Sequence, residues 1–354
     1  MARVAGVSQA TVSHVLNGKD ERVSQSVRER VLNAARQLNY VPNPVARSLK
    51  TRRNHLIAVL VPDVRSSFYM KAIAGIESVL DRHDYHLLVA NARSSSQHAK
   101  HQIHRLAAGH VDGLIVIQPS WRTDPPLQAI LESAEIPFVY VNAYLEDWGL
   151  ATSVHEDSCG GVYSAVKHLI EVHGHRRIAF LGGSIRTDPP TYHCEQMLEG
   201  YRQAMADGGL TVSDELIHIE AASIGFEDGL EMVHSLLHTT DDFTAIVTIN
   251  DAMAAAAIQA LRARGRRVPE DVAVIGGADL PHIAEVIQPR MTTVDYNLEG
   301  IGRAAATALL EQIDGEPAGA HSKVVVPSRL IIRESCGCNS TPITRASAAP
   351  EASL

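Results

Sequence analysis

Short apolar runs alternate with amphipathic helical stretches from Leu56 onward, and this alternation constrains the fold more than any other feature. The helical stretches include YMKAIAGIESVLDRH and GVYSAVKHLIEVHG, and the runs are LIAVLV, HLLVA, DGLIVI, PFVYV, RIAFLGG, TAIVTI and VAVIGG. Strands that are joined by crossover helices form a parallel, doubly wound α/β sheet. The series is too long for one small sheet, so the sequence predicts an α/β core larger than a single sheet.

A different pattern occupies the start of the chain. In GVSQATVSHVLN, Ser8 is a good N-cap, and Val12, Val15 and Leu16 fall on one buried stripe of a short helix. Just before it, ARVA is typical of the end of another helix, with Gly6 making the turn. Two short helices joined through a glycine turn predict an all-α helix-turn-helix, whose second helix lies in the DNA major groove.

The outer face of that second helix carries side chains that suit DNA. Glutamine pairs with adenine, histidine donates to a guanine acceptor, and a small alanine meets a thymine methyl, whereas serine and asparagine suit phosphates. The residues on this face are Gln9, Ala10, Ser13, His14 and Asn17.

The charge of the chain is unevenly divided. Residues 1–53 hold ten basic and three acidic side chains, a net charge of +7. Residues 54–354 carry a net charge of −15, which gives the whole chain its net charge of −8. A basic head on an acidic body indicates that the N-terminal part meets a polyanion.

Two more helices are predicted before the α/β core begins. Ser24 precedes a third helix, whose inner face is expected to carry Val27, Val31, Ala34, Ala35 and Leu38. Asn43 and Pro44 then begin a helix of under two turns that ends at Lys50. A helix so short is unstable alone in water, so we expect it to fold only against its twin and DNA.

The motifs AGVSQATVSHVLNG, LNYVPNPVARSLK and TINDAMAAAAIQALRARGRRVPEDVAVIGGAD resemble the lactose/galactose-repressor (LacI/GalR) family of bacterial transcription regulators. The resemblance runs from Ala2 to about Cys336. It implies that Gln9, Ala10 and His14 read bases and that Leu49 wedges into the minor groove. The residues expected to contact DNA are Ser8, Gln9, Ala10, Thr11, Ser13, His14, Asn17, Asn43, Ala46, Leu49 and Lys50.

The resemblance also implies a periplasmic-binding-protein-like core, in which crossing strands join two similar subdomains around a ligand cleft. We expect a headpiece at 1–42, a hinge helix and linker at 43–53, the core at 54–338 and a disordered tail at 339–354. The expected subdomains are 54–154 with 281–313, and 155–280 with 314–338.

Ligands of open α/β folds bind beyond the carboxyl ends of the strands, which makes polar and aromatic residues there candidates. A strand-end cap or turn is the alternative role for each of them. Candidates by position alone include Asp63, Ser67, Asn91 and Asp279. The family match adds the aromatic pair Phe68-Tyr69 and the strand-end pair Asn250-Asp251. The residues expected to bind the effector are Phe68, Tyr69, Gln118, Asn142, Met197, Ile224, Asn250, Asp251 and Ala278.

Three of these positions depart from the family pattern. Met197 replaces an arginine that usually grips the effector, Ile224 replaces a stacking aromatic, and Ala278 replaces the first of two acidic residues. A charge-assisted hydrogen bond in such a cleft is worth roughly 1.5–3 kcal/mol. The departures argue against a small sugar bound in the standard way, and they favour a larger or less polar effector or a rotated pose.

The leading hypothesis is a homodimeric, ligand-responsive, sequence-specific DNA-binding regulator of double-stranded operator DNA, a repressor of catabolic or transport genes. A dimer is expected because one helix-turn-helix reads too few bases for specific affinity. The alternative is a cytoplasmic small-molecule-binding protein of the periplasmic-binding-protein fold, and the +7 head counts against it. No residue constellation indicates an enzyme, and no cofactor is expected.

Metal binding and membrane association are not expected. Cys336-Gly-Cys338 lacks a second pair of cysteines, and His98, His101 and His104 are typical of a solvated helix face. No apolar run approaches the length of a membrane helix, the start lacks a signal-peptide pattern, and four scattered cysteines favour a reducing cytoplasm. Since Met1 stands where the first helix should already have begun, we expect a native N-terminus a few residues longer.

Overall fold

A computed structural model describes most of the chain, which separates into two compact units, residues 1–55 and 56–354. Each unit is described by itself. The structure describes residues 1–16, 23–38, 40, 53–108, 111–117, 129–131, 133, 136–142, 152–183, 192–220, 225–315 and 323–338.

The first unit contains three helices, α1 (Ala2–Ala5), α2 (Gln9–Leu16) and α3 (Gln25–Gln37). The Ser8 Oγ accepts a hydrogen bond from the Thr11 N–H at 3.1 Å, which confirms Ser8 as the cap of α2. Gly6 takes the left-handed conformation (φ 64°) that closes the turn between α1 and α2.

A small core holds these three helices together. Its buried members are Ala5, Val12, Val15, Val31 and Ala34. The predicted stripe of α2 is therefore confirmed at its two valines. Leu38 was expected on the inner face of α3 but is 47% exposed, because α3 ends at Gln37 and Leu38 follows its last turn.

The second unit alternates strands and helices, as its apolar runs predict. Its elements, apart from two short 3₁₀ turns, are β1 (Leu56–Val61), α4 (Ser67–Leu80), β2 (His86–Asn91), α5 (Ser96–Ala107), β3 (Gly113–Ile117), β4 (Phe138–Val141), β5 (Thr152–Glu156), α6 (Ser158–Glu171), β6 (Ile178–Gly183), α7 (Tyr192–Asp207), β7 (Ile217–Glu220), α8 (Phe226–Thr239), β8 (Ala245–Thr248), α9 (Asp251–Ala263), β9 (Ala273–Gly277), α10 (Pro281–Ala284), β10 (Thr292–Asp295), α11 (Leu298–Ile313), β11 (Lys323–Val326) and β12 (Arg329–Ile331).

The strands form two six-stranded sheets with the same internal order. The first runs β11-β5-β4-β3-β1-β2 and the second β12-β10-β9-β8-β6-β7. Strands such as β3, with every residue buried, sit between helices on both faces, and this is why they read as continuous apolar runs. The expected doubly wound fold with two sheets is confirmed.

One strand departs from the parallel arrangement. β12 pairs antiparallel with β10, whereas β11 pairs parallel with β5. β11 ends at the carboxyl ends of the strands of the first sheet, which face the carboxyl ends of the strands of the second sheet, and only Pro327 and Ser328 separate it from β12. The chain therefore enters the second sheet at the carboxyl ends of its strands and runs against them, which makes β12 antiparallel.

The chain crosses between the sheets three times, after β5, after β10 and after β11. Two expected subdomain limits are therefore wrong. Residues 281–295 belong with the second subdomain, because β10 hydrogen-bonds to β9. Residues 323–326 belong with the first, because β11 hydrogen-bonds to β5. Both errors arise because the residues of a short strand do not indicate which of two similar sheets it joins.

Among the described residues, no helix has the length and apolarity that crossing a membrane requires. The expected hinge helix (43–53, apart from Arg53) and the expected tail (339–354) lie outside the described residues.

Candidate DNA-binding surface and effector cleft

Helix α2 presents a polar face on the headpiece. Gln9, Ala10 and His14 are exposed, as a base-reading role requires, whereas Thr11 and Ser13 are half-buried. Ser8 is exposed, and its hydroxyl lies 2.9 Å from the Thr11 hydroxyl. The other residues expected to contact DNA, Asn17, Asn43, Ala46, Leu49 and Lys50, lie outside the described residues.

The described helices of this unit also carry several arginines. Arg3, Arg28, Arg30 and Arg36 are all exposed, and Glu29 is the one acidic residue among the described positions 1–38. The headpiece therefore offers a positive surface to a phosphate backbone.

A cleft of about 260 Å³ lies in the second unit, where the carboxyl ends of both sheets meet. Its walls follow β1, β5, β8, β9 and β10, together with the first turns of α7. The lining residues are Arg65, Ser66, Ser67, Phe68, Tyr69, Glu156, His193, Met197, Ile249, Asn250, Ala252, Ala278, Leu280, Ile283 and Tyr296. The position agrees with the rule that ligands of open α/β sheets bind beyond the strand ends.

Much of the cleft wall is apolar or aromatic. Phe68 and Tyr69 open helix α4 and pack edge to face, with ring centroids 5.4 Å apart. Met197, on α7, is 3% exposed and contributes a thioether where an arginine would contribute a charge. Such a wall favours a ligand with an extended apolar face.

A buried polar cluster forms the end of β5. The Asn142 side-chain NH₂ donates to Glu156 Oε2 at 3.1 Å, and the Ser158 hydroxyl donates to Oε1 at 2.8 Å. The Glu156 N–H in turn donates to Asn142 Oδ1 at 3.0 Å. Burial outweighs these hydrogen bonds and raises the pKa of Glu156 to about 7. Asn142 is thus placed behind Glu156, which faces the cleft.

Asp251 lies beneath the opposite wall and is completely buried. Its carboxylate accepts hydrogen bonds from the Leu280 N–H (2.6 Å) and the Thr293 hydroxyl (2.5 Å). Burial raises the pKa of Asp251 to about 7. The residue therefore connects the end of β8 to the turn after β9 and to β10, and its neighbour Asn250 lines the cleft.

Tyr296 places a hydroxyl in the cleft wall. The side chain is 1% exposed, and its hydroxyl has no hydrogen-bond partner among the residues that the structure describes. A Cβ on Gly277 would lie 2.9 Å from that oxygen, so the glycine leaves room for it. A buried hydroxyl without a hydrogen-bond partner is destabilising unless a ligand or a water molecule forms that hydrogen bond.

The basic side chains in the described cleft lining are paired or neutral. Arg65, the one guanidinium among the described lining residues, pairs with Asp63 at 2.6 Å, and this hydrogen-bonded pair lowers the pKa of Asp63 to about 2. Burial lowers the pKa of His193 to about 4, so the imidazole is neutral at neutral pH. The described lining therefore offers no free cation to an anionic ligand.

The structure brings five of the expected effector residues into the cleft lining and places two others behind it. Gln118 and Ile224 lie outside the described residues, whereas Asn142 and Asp251 are buried one layer behind the surface. The five in the lining are Phe68, Tyr69, Met197, Asn250 and Ala278. Among the candidates by position, Ser67 lines the cleft, and Asp279 instead pairs with Arg333 at 2.7 Å.

Sequence reasoning missed Glu156, His193 and Tyr296. Glu156 is the last residue of the strand TSVHE, and Tyr296 follows the strand TTVD. Both strands are too polar to be recognised as apolar runs, although each precedes a crossing between the sheets. His193 stands in the first turn of α7, one helical turn before Met197, and this spacing is the signal that would have found it.

A helix-turn-helix headpiece and a two-sheet core with a ligand-sized cleft define a DNA-binding regulator of the kind that a small molecule controls. The family model "Bacterial regulatory proteins, lacI family" matches residues 1–43, and the model "Periplasmic binding protein-like domain" matches residues 166–336. The HTH-type transcriptional regulator CelR of Thermobifida fusca is 35% identical over 341 residues, which are 95% of this chain and 96% of CelR. The chain belongs to the LacI family of bacterial transcription regulators.

Solved structures agree with this assignment. A CelR–cellobiose complex superposes with a TM-score of 0.72 at 33% identity, covering 94% of this chain and 98% of that chain. The lac repressor dimer bound to operator and an anti-inducer superposes with a TM-score of 0.81 at 26% identity, covering 95% and 97%.

Proposed function

We propose that the protein is a homodimeric cytoplasmic repressor that binds a pseudo-palindromic operator, and that an uncharged, hydroxylated ligand with an extended apolar face controls it. The Tyr296 hydroxyl, buried in an apolar cleft without a partner among the described residues, is the observation that carries the ligand proposal. A ligand hydroxyl would complete that hydrogen bond.

The charges of the cleft narrow the ligand class. Arg65 is occupied by Asp63, and Met197 stands where a charge-bearing side chain would grip an anion. Sugar phosphates and nucleotides are therefore disfavoured, and glycosides and disaccharides are favoured. Phe68 and Tyr69 offer aromatic surface to the apolar face of a pyranose ring.

The effector contacts of this proposal include the lining residues Phe68, Tyr69 and Asn250, with Met197 and Ala278 shaping the wall. Asn142 and Asp251 act from behind the wall by holding Glu156 and the turn after β9. Gln118, proposed from its position after a strand, and Ile224, proposed from the family pattern, remain expectations. The dimer and the operator are supported by the lac repressor structure, which is a dimer on its operator.

Two measurements test the proposal. A thermal-shift screen of the full chain should rank cellobiose, other disaccharides and aryl glycosides above sugar phosphates and nucleotides. A mobility-shift assay with upstream genomic fragments should then show specific DNA binding that the leading ligand changes in either direction. A chain that binds ligand but no DNA fragment would instead be the small-molecule-binding protein of the alternative hypothesis.

A further inference from the structure

Two histidines and two cysteines meet in the second subdomain, away from the cleft. The metal-binding atoms of His168, His173, Cys336 and Cys338 all lie within 4.8 Å of one another. The Cys338 Sγ is 3.3 Å from His173 Nε2 and 3.6 Å from His168 Nε2. The two imidazole rings are 5.0 Å apart at 75° to each other, so they approach the sulfur from different directions.

We propose that these four side chains bind a structural Zn²⁺ ion. Two thiolates and two imidazoles are a common zinc ligand set, and tetrahedral bonds of about 2.3 Å to sulfur and 2.05 Å to nitrogen place neighbouring S and N ligands about 3.6 Å apart. Both measured S–N separations lie close to that value. The site therefore needs only small side-chain adjustments to close around the ion.

The fold explains how distant parts of the chain supply the ligands. His168 lies in the last turn of α6, and His173 follows after four residues in the turn beyond it. Cys336 and Cys338 flank Gly337, whose φ of 100° reverses the chain between them. A Cβ at position 337 would make only an ordinary contact of 3.4 Å with the His173 ring, so the positive φ, not a lack of space, is what favours glycine here.

The surroundings fit a closed structural site. Cys336 is 1% exposed, and the Thr292 hydroxyl donates to its sulfur at 3.1 Å, which stabilises a thiolate. Four protein ligands leave no open position for a substrate, which is the arrangement of structural zinc sites. The ion would fasten the segment 335–338 to α6 and thereby hold the end of the second sheet in place.

The test measures metal binding by the full chain, purified with a thiol reductant and stripped with a chelator. We expect one equivalent of Zn²⁺ per chain and a higher melting temperature after Zn²⁺ is added. Co²⁺ should give the thiolate charge-transfer absorption and the red d–d bands of a tetrahedral sulfur–nitrogen site.

Matched variants separate the site from the other cysteines and histidines. Cys338→Ser and His173→Gln should weaken Zn²⁺ binding by about 100-fold or more and abolish the cobalt charge-transfer band. Cys159→Ser and His175→Gln, in the same subdomain but outside the cluster, should bind Zn²⁺ like the unchanged chain.

Three outcomes would overturn the proposal. The first is Zn²⁺ binding by the unchanged chain no tighter than that of Cys338→Ser. The second is a loss of Zn²⁺ affinity in the Cys159→Ser and His175→Gln controls equal to the loss in the cluster variants. The third is a Cys336–Cys338 disulfide in a chain that takes up no metal after reduction. If the cluster variants fail to fold, the cobalt spectrum of the unchanged chain decides between these results.

Discussion

The Lys71 ammonium donates a 2.5 Å hydrogen bond to the main-chain carbonyl of Asp279 and a second, at 3.1 Å, to that of Ala278. Lys71 lies on α4 in the first subdomain, whereas residues 278 and 279 follow β9 in the second. The cation therefore joins the two halves of the core beside the cleft. Moving the halves apart would break both bonds.

Replacing Lys71 is predicted to weaken effector binding through this link. Lys71→Met removes both hydrogen bonds, so the arrangement that encloses the cleft becomes less populated, and effector affinity should fall by about 10-fold. Isothermal titration with the ligand found by screening measures the change. Lys167→Met, which loses an exposed ion pair with Glu171 and a cation–π contact with Tyr163, is the control and should bind like the unchanged chain. Equal affinity in both variants would contradict the prediction.

Tyr296→Phe is predicted to lower affinity for the effector without lowering the thermal stability of the chain. The substitution removes a hydroxyl that has no partner among the described residues, so the melting temperature without ligand should stay the same or rise. Affinity for the effector should fall by about 5- to 10-fold, because a ligand hydroxyl loses its hydrogen bond. Tyr163→Phe, which removes a hydroxyl outside the described cleft lining that donates to Asp207, serves as the control for affinity. Unchanged affinity in Tyr296→Phe would show that the Tyr296 hydroxyl makes no hydrogen bond to the ligand.

Glu156 is predicted to make the core less stable as the pH rises. Burial raises the pKa of Glu156 from about 4.5 to about 7, so the fold favours the protonated carboxyl. Its contribution to the free energy of unfolding is complete below pH 4.5 and is lost as the pH rises through 7, a change on the order of 3 kcal/mol. Asp251, with its pKa also raised to about 7, acts in the same direction.

Urea unfolding at several pH values between 5 and 8 checks this. Glu156→Gln cannot ionise and should remove this contribution to the pH dependence. What remains is the contribution of Asp251 in the same direction and that of His193, whose lowered pKa acts in the opposite direction. Glu299→Gln changes an exposed carboxyl and should keep the original slope. A Glu156→Gln curve that runs parallel to that of the unchanged chain would refute the assignment.

Gln9→Ala is predicted to reduce operator binding without affecting the core. Loss of a bidentate contact to adenine should reduce specific affinity by about 5- to 100-fold and relax base preference at one operator position. Gln37→Ala, at the exposed end of α3, is the matched control in the same unit. Mobility shifts with operator variants give the readout, and a uniform loss for all sequences would indicate a phosphate contact instead.

The sheets and the recognition helix followed from the sequence because their signals are local. A run such as GLIVI is buried on both faces, and the spacing of Val12 and Val15 sets the inner face of α2. Family resemblance also identified Phe68, Tyr69 and Asn250 as candidates, and all three line the cleft.

The remaining features depend on contacts between distant parts of the chain. Glu156 and Tyr296 reach the cleft because they lie where the chain leaves one sheet for the other, at the ends of the polar strands β5 and β10. No local pattern reveals these crossings. Cys336 and Cys338 were discounted as metal ligands for lack of a second pair, yet the fold brings His168 and His173, about 165 residues away, to the same point. Spacing within a motif gives no information on such partners.

The three crossings have a consequence for synthesis of the chain. The first sheet lacks its edge strand β11 until residue 326 has emerged, and α11, which covers β3, β4 and β5, begins only at Leu298. During translation, the first subdomain therefore leaves the ribosome with an uncovered apolar face while the whole of β6 to β10 is still being made. Both subdomains obtain five of their six strands in one continuous stretch. Only the second also has its covering helices, α6 to α9, within that part of the chain, so it is positioned to fold first even though it is translated later.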